Sequence, residues 1–197
     1  MELMLLRIFQ DQVRLQCEFA LAAAEDISPD NPKIWAGIQN MMNAAANISK
    51  ACWGSGGKKA AEREPLRSSL QIDEDSPIRW TTMRNHWEHL DERLDQWWTE
   101  TGSYSHVDRG ISTPGSAYYG GTTEIDIFRM LDPTNFELTF WGDKFDLRAI
   151  TEEILRIHPL AVAESNKSHV DRDWIERREA DPKWIARREA SRGNPHL

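Results

Sequence analysis

The sequence predicts a mainly α-helical protein, in which an antiparallel helical bundle is followed by a small β-hairpin and one further helix. Along residues 1–101 the apolar residues recur at alternating steps of three and four, which is the period of an amphipathic helix. After residue 101 a run rich in Gly, Ser, Thr and Tyr replaces this period, and a later segment alternates apolar and polar residues as a β-strand does. The 197 residues are enough for one domain with a sizeable core.

Three helices are predicted before residue 71. The first covers residues 1–27, with apolar positions at Leu6, Phe9, Val13, Cys17, Ala20, Ala24 and Ile27. After a turn at 28–32, the second has the corresponding positions Trp35, Ile38, Met42, Ala45, Ser49 and Cys52 and stops at GSGG. The third is shorter, spans about 59–70 and should break near Pro65.

A fourth predicted helix contains the stretch MRNHWEHLDERLDQWW, residues 83–98. Its apolar seam is formed by Trp80, Met83, Trp87, Leu90, Leu94 and Trp97. On a helical wheel, Asn85, His89 and Glu92 fall opposite this seam, while Arg84 and Glu88 lie along one edge. We therefore expect a polar face that points away from the bundle, towards solvent or towards an interface.

The second half of the chain is predicted to be less regular. Residues 102–121 form an irregular loop, and two strands around 125–131 and 136–140 are joined by the DPTN turn. A helix follows over 147–158. The predicted organisation is a helical bundle over 1–101, the loop over 102–121, a hairpin-and-helix appendage over 122–160 and a charged helical tail over 161–197.

The tail contains a short internal repeat: DWIERREA at 173–180 returns as KWIARREA at 183–190. Two copies are too few for a solenoid, so the tail is either a loosely docked helical extension or an arm that contacts RNA or a partner.

The charge and the cysteines restrict the class of protein. A formal net charge of −8 argues against a protein that coats nucleic acid or anionic membrane by charge, so any contact with RNA should be local. Cys17 and Cys52 lie among apolar residues, which predicts buried thiols with no disulfide and no metal cluster. Charged residues interrupt the apolar start of the chain before a membrane span can form. We expect a cytoplasmic protein with no membrane contact.

The polar residues of the fourth predicted helix suit phosphate chemistry. An arginine offers a two-pronged donor for a phosphate, and a histidine can move a proton near neutral pH. In RNA the neighbouring 2′-hydroxyl is a built-in nucleophile, so cleavage needs only alignment, proton transfer and charge stabilisation. This route requires no metal and no cofactor.

The stretch RNHWEH, residues 84–89, resembles the signature of HEPN ribonucleases, in which an Arg is followed by a polar residue and, a few positions later, by His. The spacing alone arises readily by chance, since Arg79 and His86 also satisfy it, and Asn85 directly after Arg84 makes the match more specific. The resemblance implies a small helical bundle with ribonuclease activity. It also implies that Arg84 stabilises the phosphate, Asn85 orients the cleaved segment and His89 transfers the proton.

The resemblance further implies a homodimer that builds one site from two motif copies across the fourth predicted helix. Such proteins act on RNA as toxins or in phage defence, so a cognate antitoxin or defence partner is expected. We assign supporting roles to Glu88 and His86. Many toxin members carry a Tyr two positions after the His, whereas this chain has Asp91, so regulation through that tyrosine is not expected.

Three alternatives remain open at the level of the sequence. Arg84 and Glu88 can form a plain surface ion pair, with His86 and His89 as ordinary solvated or packed residues. His86 and His89 can, with Glu88 and Glu92, supply metal ligands, although the two histidines point about 60° apart on the wheel. Finally, the same face can belong to a non-catalytic HEPN-like interaction module that binds a partner protein.

Overall fold

The computed structural model describes residues 1–79, 86–87, 89–102, 105–113, 126–169, 176 and 179–192. Within these residues the chain is mainly helical and carries one small sheet, which confirms the predicted fold class at this level. The helices are α1 (Leu3–Ala24), α2 (Ile34–Trp53), α3 (Gly57–Glu62), α4 (Glu64–Ser69), α5 (Leu90–Thr101), α6 (Leu147–Ser165) and α7 (Pro182–Arg192). The strands are β1 (Gly110–Ile111), β2 (Arg129–Asp132), β3 (Glu137–Phe140) and β4 (Asp143–Asp146).

Helices α1 and α2 bury the faces that the sequence predicted. Val13 and Cys17 on α1, and Ile38, Met42 and Cys52 on α2, are fully buried in one apolar cluster. Both cysteines are free, as predicted, and burial raises the pKa of each thiol to about 12. The predicted third helix is two short helices, α3 and α4, which meet at Arg63 directly before Glu64 and Pro65. Proline is tolerated there because the first turn of a helix has no intrahelical acceptor for that N–H.

Helix α6 packs against α1 and completes the helical part of the core. It begins at Leu147 as predicted, because the Asp146 carboxylate accepts a hydrogen bond from the Ala149 N–H at 2.9 Å. It continues past Pro159 to Ser165, beyond the predicted end at 158. Near its end, Glu164 forms a 3.0 Å ion pair with Arg7 and so ties α6 to the start of α1.

The sheet is larger than the predicted hairpin. Strands β2 and β3 are antiparallel and joined through the DPTN turn, which confirms the hairpin. A two-residue turn then leads to β4; its residues Trp141 and Gly142 both have positive φ, as a tight hairpin turn of this hand requires. Strand β1 pairs in parallel with β2 and comes from the segment predicted as a loop. Neither β1, with two residues, nor β4, with a single buried side chain, shows an apolar alternation in the sequence.

The sheet shares one hydrophobic core with the helices. Leu131, Leu138, Phe140 and Phe145 belong to the same buried cluster as the apolar faces of α1, α2 and α6. The segment expected as an appendage therefore packs as an integral layer on the bundle. The HEPN-like arrangement of the helices stays a prediction.

The fourth predicted helix is not continuous over the described residues. His86 and Trp87 are helical, but His89 lies in a turn with φ −117° and ψ 32°, and α5 begins only at Leu90. A single helical wheel cannot be carried across a residue outside the helical region, so the predicted continuous helix is wrong at this point. The buried positions differ as well, since Trp97 is buried, whereas Leu94 is 38 % exposed.

Helix α7 coincides with the second copy of the tail repeat, and most of the first copy lies outside the described residues. Its side chains are largely exposed, and the Arg188 guanidinium lies 5.0 Å from the Trp184 ring centroid within the same helix. Among the helices that the structure describes, none combines the length and the apolar character that a membrane crossing needs.

Candidate functional site

The structure describes two of the five residues predicted for the site. Arg84, Asn85 and Glu88 lie outside the described residues, so their predicted roles stay predictions. His86 and His89 are described, and they occupy opposite kinds of environment. His86 is buried, with 4 % exposure, whereas the side chain of His89 is 51 % exposed.

His86 is held in the core by a carboxylate and by aromatic rings. Its Nε2 lies 2.8 Å from Asp143 Oδ2 at the start of β4. Its ring centroid lies 5.1 Å from that of Phe140 and 6.5 Å from that of Phe145. The Nδ1 atom is buried and makes no hydrogen bond to any described residue. A ring enclosed in this way anchors the motif segment to the sheet and is shielded from a substrate in solution.

The neighbouring Trp87 strengthens this anchor. Its ring packs edge-on against Phe140 at 4.7 Å, and the guanidinium of Arg129 lies 5.2 Å from its centroid. Arg129 is itself fixed by two 2.6 Å hydrogen bonds to the carboxylate of Asp108. This two-pronged ion pair holds β2 to the segment before β1.

His89 faces solvent at the N-terminal end of α5. Its Nδ1 lies 3.3 Å from Glu92 Oε2, and its carbonyl oxygen accepts a hydrogen bond from the Arg93 N–H at 3.0 Å. An Nδ1–H that donates to a carboxylate orients an imidazole and leaves Nε2 for proton transfer on the other edge of the ring. This geometry suits a general acid or base and agrees with the outward direction predicted for His89.

Arg79 and His86, the second pair that satisfies the motif spacing, have different partners in the structure. Arg79 forms a 2.8 Å ion pair with Glu74, and its guanidinium lies 5.7 Å from the ring centroid of Trp53. His86 is bound by Asp143 instead. Arg79 therefore belongs to the surface of the bundle and does not pair with His86.

The electrostatics near His89 are acidic. Exposed carboxylates on α5 belong to Asp91, Glu92, Asp95 and Glu100, with Arg93 as the single basic residue of that helix. Carboxylates in the first turn stabilise α5 through its dipole, but they also repel an RNA backbone that approaches along the helix.

The described residues do not assemble a metal centre. No group of three or more His, Cys, Asp and Glu side chains converges in the part of the chain that the structure describes. His86 has one ring nitrogen bound to Asp143 and the ring packed among phenylalanines, while the nearest acidic partner of His89 is Glu92.

One cavity of about 200 Å³ lies between the end of α1 and the start of α6. It is lined by Ala24, Ile27, Phe136, Leu147, Arg148 and Thr151, none of which belongs to the motif. This cavity is therefore separate from the predicted site residues.

Sequence reasoning missed Asp143 and the aromatic residues behind the motif. Asp143 lies 57 positions from His86, and the strand that carries it has no pattern that pairs it with a histidine. A second missed cluster places Trp97 beside Phe128 and His106, with the Trp97 indole N–H donating to Asp126 at 3.1 Å. In the sequence, only the number of aromatic residues in these segments indicates the clusters around His86 and Trp97.

Comparisons with known proteins return no match: no family model, no curated protein and no solved structure corresponds to this chain.

Proposed function

We propose that the chain is a metal-independent endoribonuclease of the HEPN type that cleaves single-stranded or looped RNA at the motif segment. The observation that supports it best is the environment of His89: an exposed imidazole, oriented by Glu92, directly at the end of the RNHWEH motif. The contacts of His86 with Asp143 and of Trp87 with Phe140, three and two residues before His89 in the chain, support a fixed position for this group.

In the proposed reaction the 2′-oxygen of a ribose attacks the adjacent phosphorus, and the P–O5′ bond breaks. The 2′-hydroxyl proton is removed by a base, and the leaving 5′-oxygen receives a proton; His89 supplies one of these two transfers through Nε2. Arg84 stabilises the charge that develops on the phosphate, and Asn85 orients the cleaved segment. The products are a 2′,3′-cyclic phosphate and a 5′-hydroxyl.

A composite site, with α5 of two copies across one cleft, is part of this proposal. The exposed carboxylates of α5 oppose pairing through this helix at low ionic strength, because two such acidic faces repel each other. Pairing across α5 should therefore strengthen as salt rises. Oxidative cross-linking of Gln96→Cys, an exposed position on α5, tests this pairing directly.

The cellular role is proposed on the same basis. An unrestrained ribonuclease in the cytoplasm would act as a toxin or as a phage-defence effector, and a cognate antitoxin or defence partner would hold it inactive. The substrate would be cellular or invading RNA, with no role for a membrane.

The test is a cleavage assay on unstructured RNA with matched histidine variants. His89→Ala should lower the cleavage rate at least about a hundredfold, whereas His169→Ala, which removes an exposed histidine outside the motif, should leave the rate unchanged. Mass spectrometry of the products should find 2′,3′-cyclic phosphate ends. Cleavage by His89→Ala at the wild-type rate would exclude this mechanism.

A second candidate function is a non-catalytic HEPN-like interaction module. It is favoured by the apolar side chains that α1 leaves exposed, namely Met4, Leu5, Ile8 and Phe19. A wild-type protein that cuts no RNA, but still associates through α1, would support this function over the ribonuclease.

A further inference from the structure

Helix α1 has a second apolar surface on the side opposite the core. Met4, Leu5, Ile8 and Phe19 are each 45–53 % exposed, and Leu15, which is half-buried, lies between them. At about 100° per residue these five side chains fall on one side of the helix, away from Val13 and Cys17. We call this surface the α1 stripe; it runs for about 15 residues, or roughly 23 Å.

We infer that the α1 stripe is a self-association surface, on which the α1 helix of a second copy of this chain packs antiparallel. This inference goes beyond the proposed ribonuclease, because it uses a different helix and needs no catalysis.

The charges beside the stripe select the antiparallel direction. Asp11, Arg14 and Glu18 follow one edge, and Arg14 bonds to both carboxylates within one copy. A parallel pair would set this edge against the opposite edge of the stripe, where Gln12 and Gln16 carry no charge. An antiparallel pair that sets Asp11 level with Arg14 of the other copy brings opposite charges together along that edge.

The same register makes the apolar side chains complementary. With Asp11 level with Arg14, Phe19 lies level with Leu6 and so enters the gap between Leu5 and Ile8 of the other copy. Leu15 lies level with Gln10 of the other copy, and so between Ile8 and Gln12 of that copy. The Phe19 ring of each copy thus packs between the Leu5 and Ile8 side chains of the other, as a ridge packs into a groove.

The area of the stripe fits a modest interface. Four half-exposed large side chains with their neighbours amount to about 450 Å² per copy, or about 900 Å² for the pair, which is the size of a weak, transient interface. The expected affinity is therefore micromolar, and the paired and unpaired forms should exchange with concentration.

The first measurement is the mass in solution at about 100 μM, by light scattering. The double substitution Ile8→Gln and Phe19→Gln should halve the mass of the wild-type protein, because both side chains lie in the proposed contact. Ile111→Gln, at an apolar residue of β1 with similar exposure, is the matched control and should leave the mass unchanged. Circular dichroism should show that the helical content of each variant is retained, since every substituted side chain is exposed.

The second measurement is a cross-link at the symmetry axis. Gln12 is exposed and falls within one residue of the centre of the proposed register, so Gln12→Cys should form an intermolecular disulfide on oxidation. The native thiols should not compete, since Cys17 and Cys52 are buried. Gln71→Cys, an exposed position off the stripe, reports collisional cross-linking. An unchanged mass in the double variant, or a Gln12→Cys cross-link no faster than that of Gln71→Cys, overturns the inference.

Discussion

The substitution Asp143→Ala tests whether the contact between His86 and Asp143 holds the motif segment against the sheet. Removing the carboxylate takes away the partner 2.8 Å from Nε2 of a ring that is 4 % exposed. Loss of a partner for a buried polar group costs about 1–3 kcal/mol. Because half of the Asp143 side chain is exposed, water replaces part of the contact, and we expect the free energy of unfolding to fall by about 1–2 kcal/mol.

Urea unfolding, followed by circular dichroism, measures this change, and a double-mutant cycle isolates the contact. For a domain of this size 1 kcal/mol corresponds to about 2–4 °C in Tm, so Asp143→Ala should melt about 2–8 °C lower. In the background of His86→Phe, which keeps an aromatic ring between Phe140 and Phe145, Asp143→Ala should cost almost nothing. Asp95→Ala, at an exposed carboxylate on α5, should stay within about 0.5 kcal/mol of wild type. Equal stability of Asp143→Ala and Asp95→Ala would refute the anchor, as would an effect of Asp143→Ala that is the same in both backgrounds.

Four further predictions concern activity and stability. His89→Ala should lower RNA cleavage at least about a hundredfold in single-turnover assays, while Arg79→Ala should retain the wild-type rate. Cleavage should continue in excess chelator, and loss of activity that a divalent ion restores would point to metal chemistry instead. Leu94→Ala should cost about 1 kcal/mol in urea unfolding, because the side chain is 38 % exposed, whereas the fully buried Ile38→Ala should cost about 2–5 kcal/mol. Removal of residues 171–197 should shift Tm by no more than about 2 °C, since the described part of this tail is mostly exposed; a large drop would show that the tail docks on the body.

The elements that could be predicted are those whose own sequence contains the reason for their structure. Helices α1, α2 and α6 each bury one face against the same core, so their apolar residues repeat with the helical period. The break before Pro65 and the DPTN turn depend on local backbone chemistry that is visible in a few residues.

The features that could not be predicted depend on partners distant in the chain. His86 takes a core position only because Asp143 and two phenylalanines from the sheet enclose it, and a helical wheel contains none of them. His89 leaves the helical region although the local apolar period continues across it, and nothing in the sequence marks that break. The sequence contains the apolar residues of α1 that are exposed, but their exposure becomes known only from the fold, in which no other described element covers them.

The α1 stripe and the proposed catalytic surface at α5 lie on different parts of the fold, so they can be tested separately. The short 3₁₀ turn at Pro77–Arg79, which leads into the motif, packs against α2 and α6. The α1 stripe lies on the outer side of α1, which those two helices do not cover. Pairing through α1 would therefore use a different surface from α5, whereas the proposed pairing through α5 would bring the two motif copies into one site. The two arrangements differ in complementation: mixing inactive Arg84→Ala and His89→Ala chains restores a complete Arg–His pair only where two motifs meet. Restored cleavage in the mixture would assign the catalytic contact to α5 and leave α1 to assembly, and its absence would confine each reaction to a single chain.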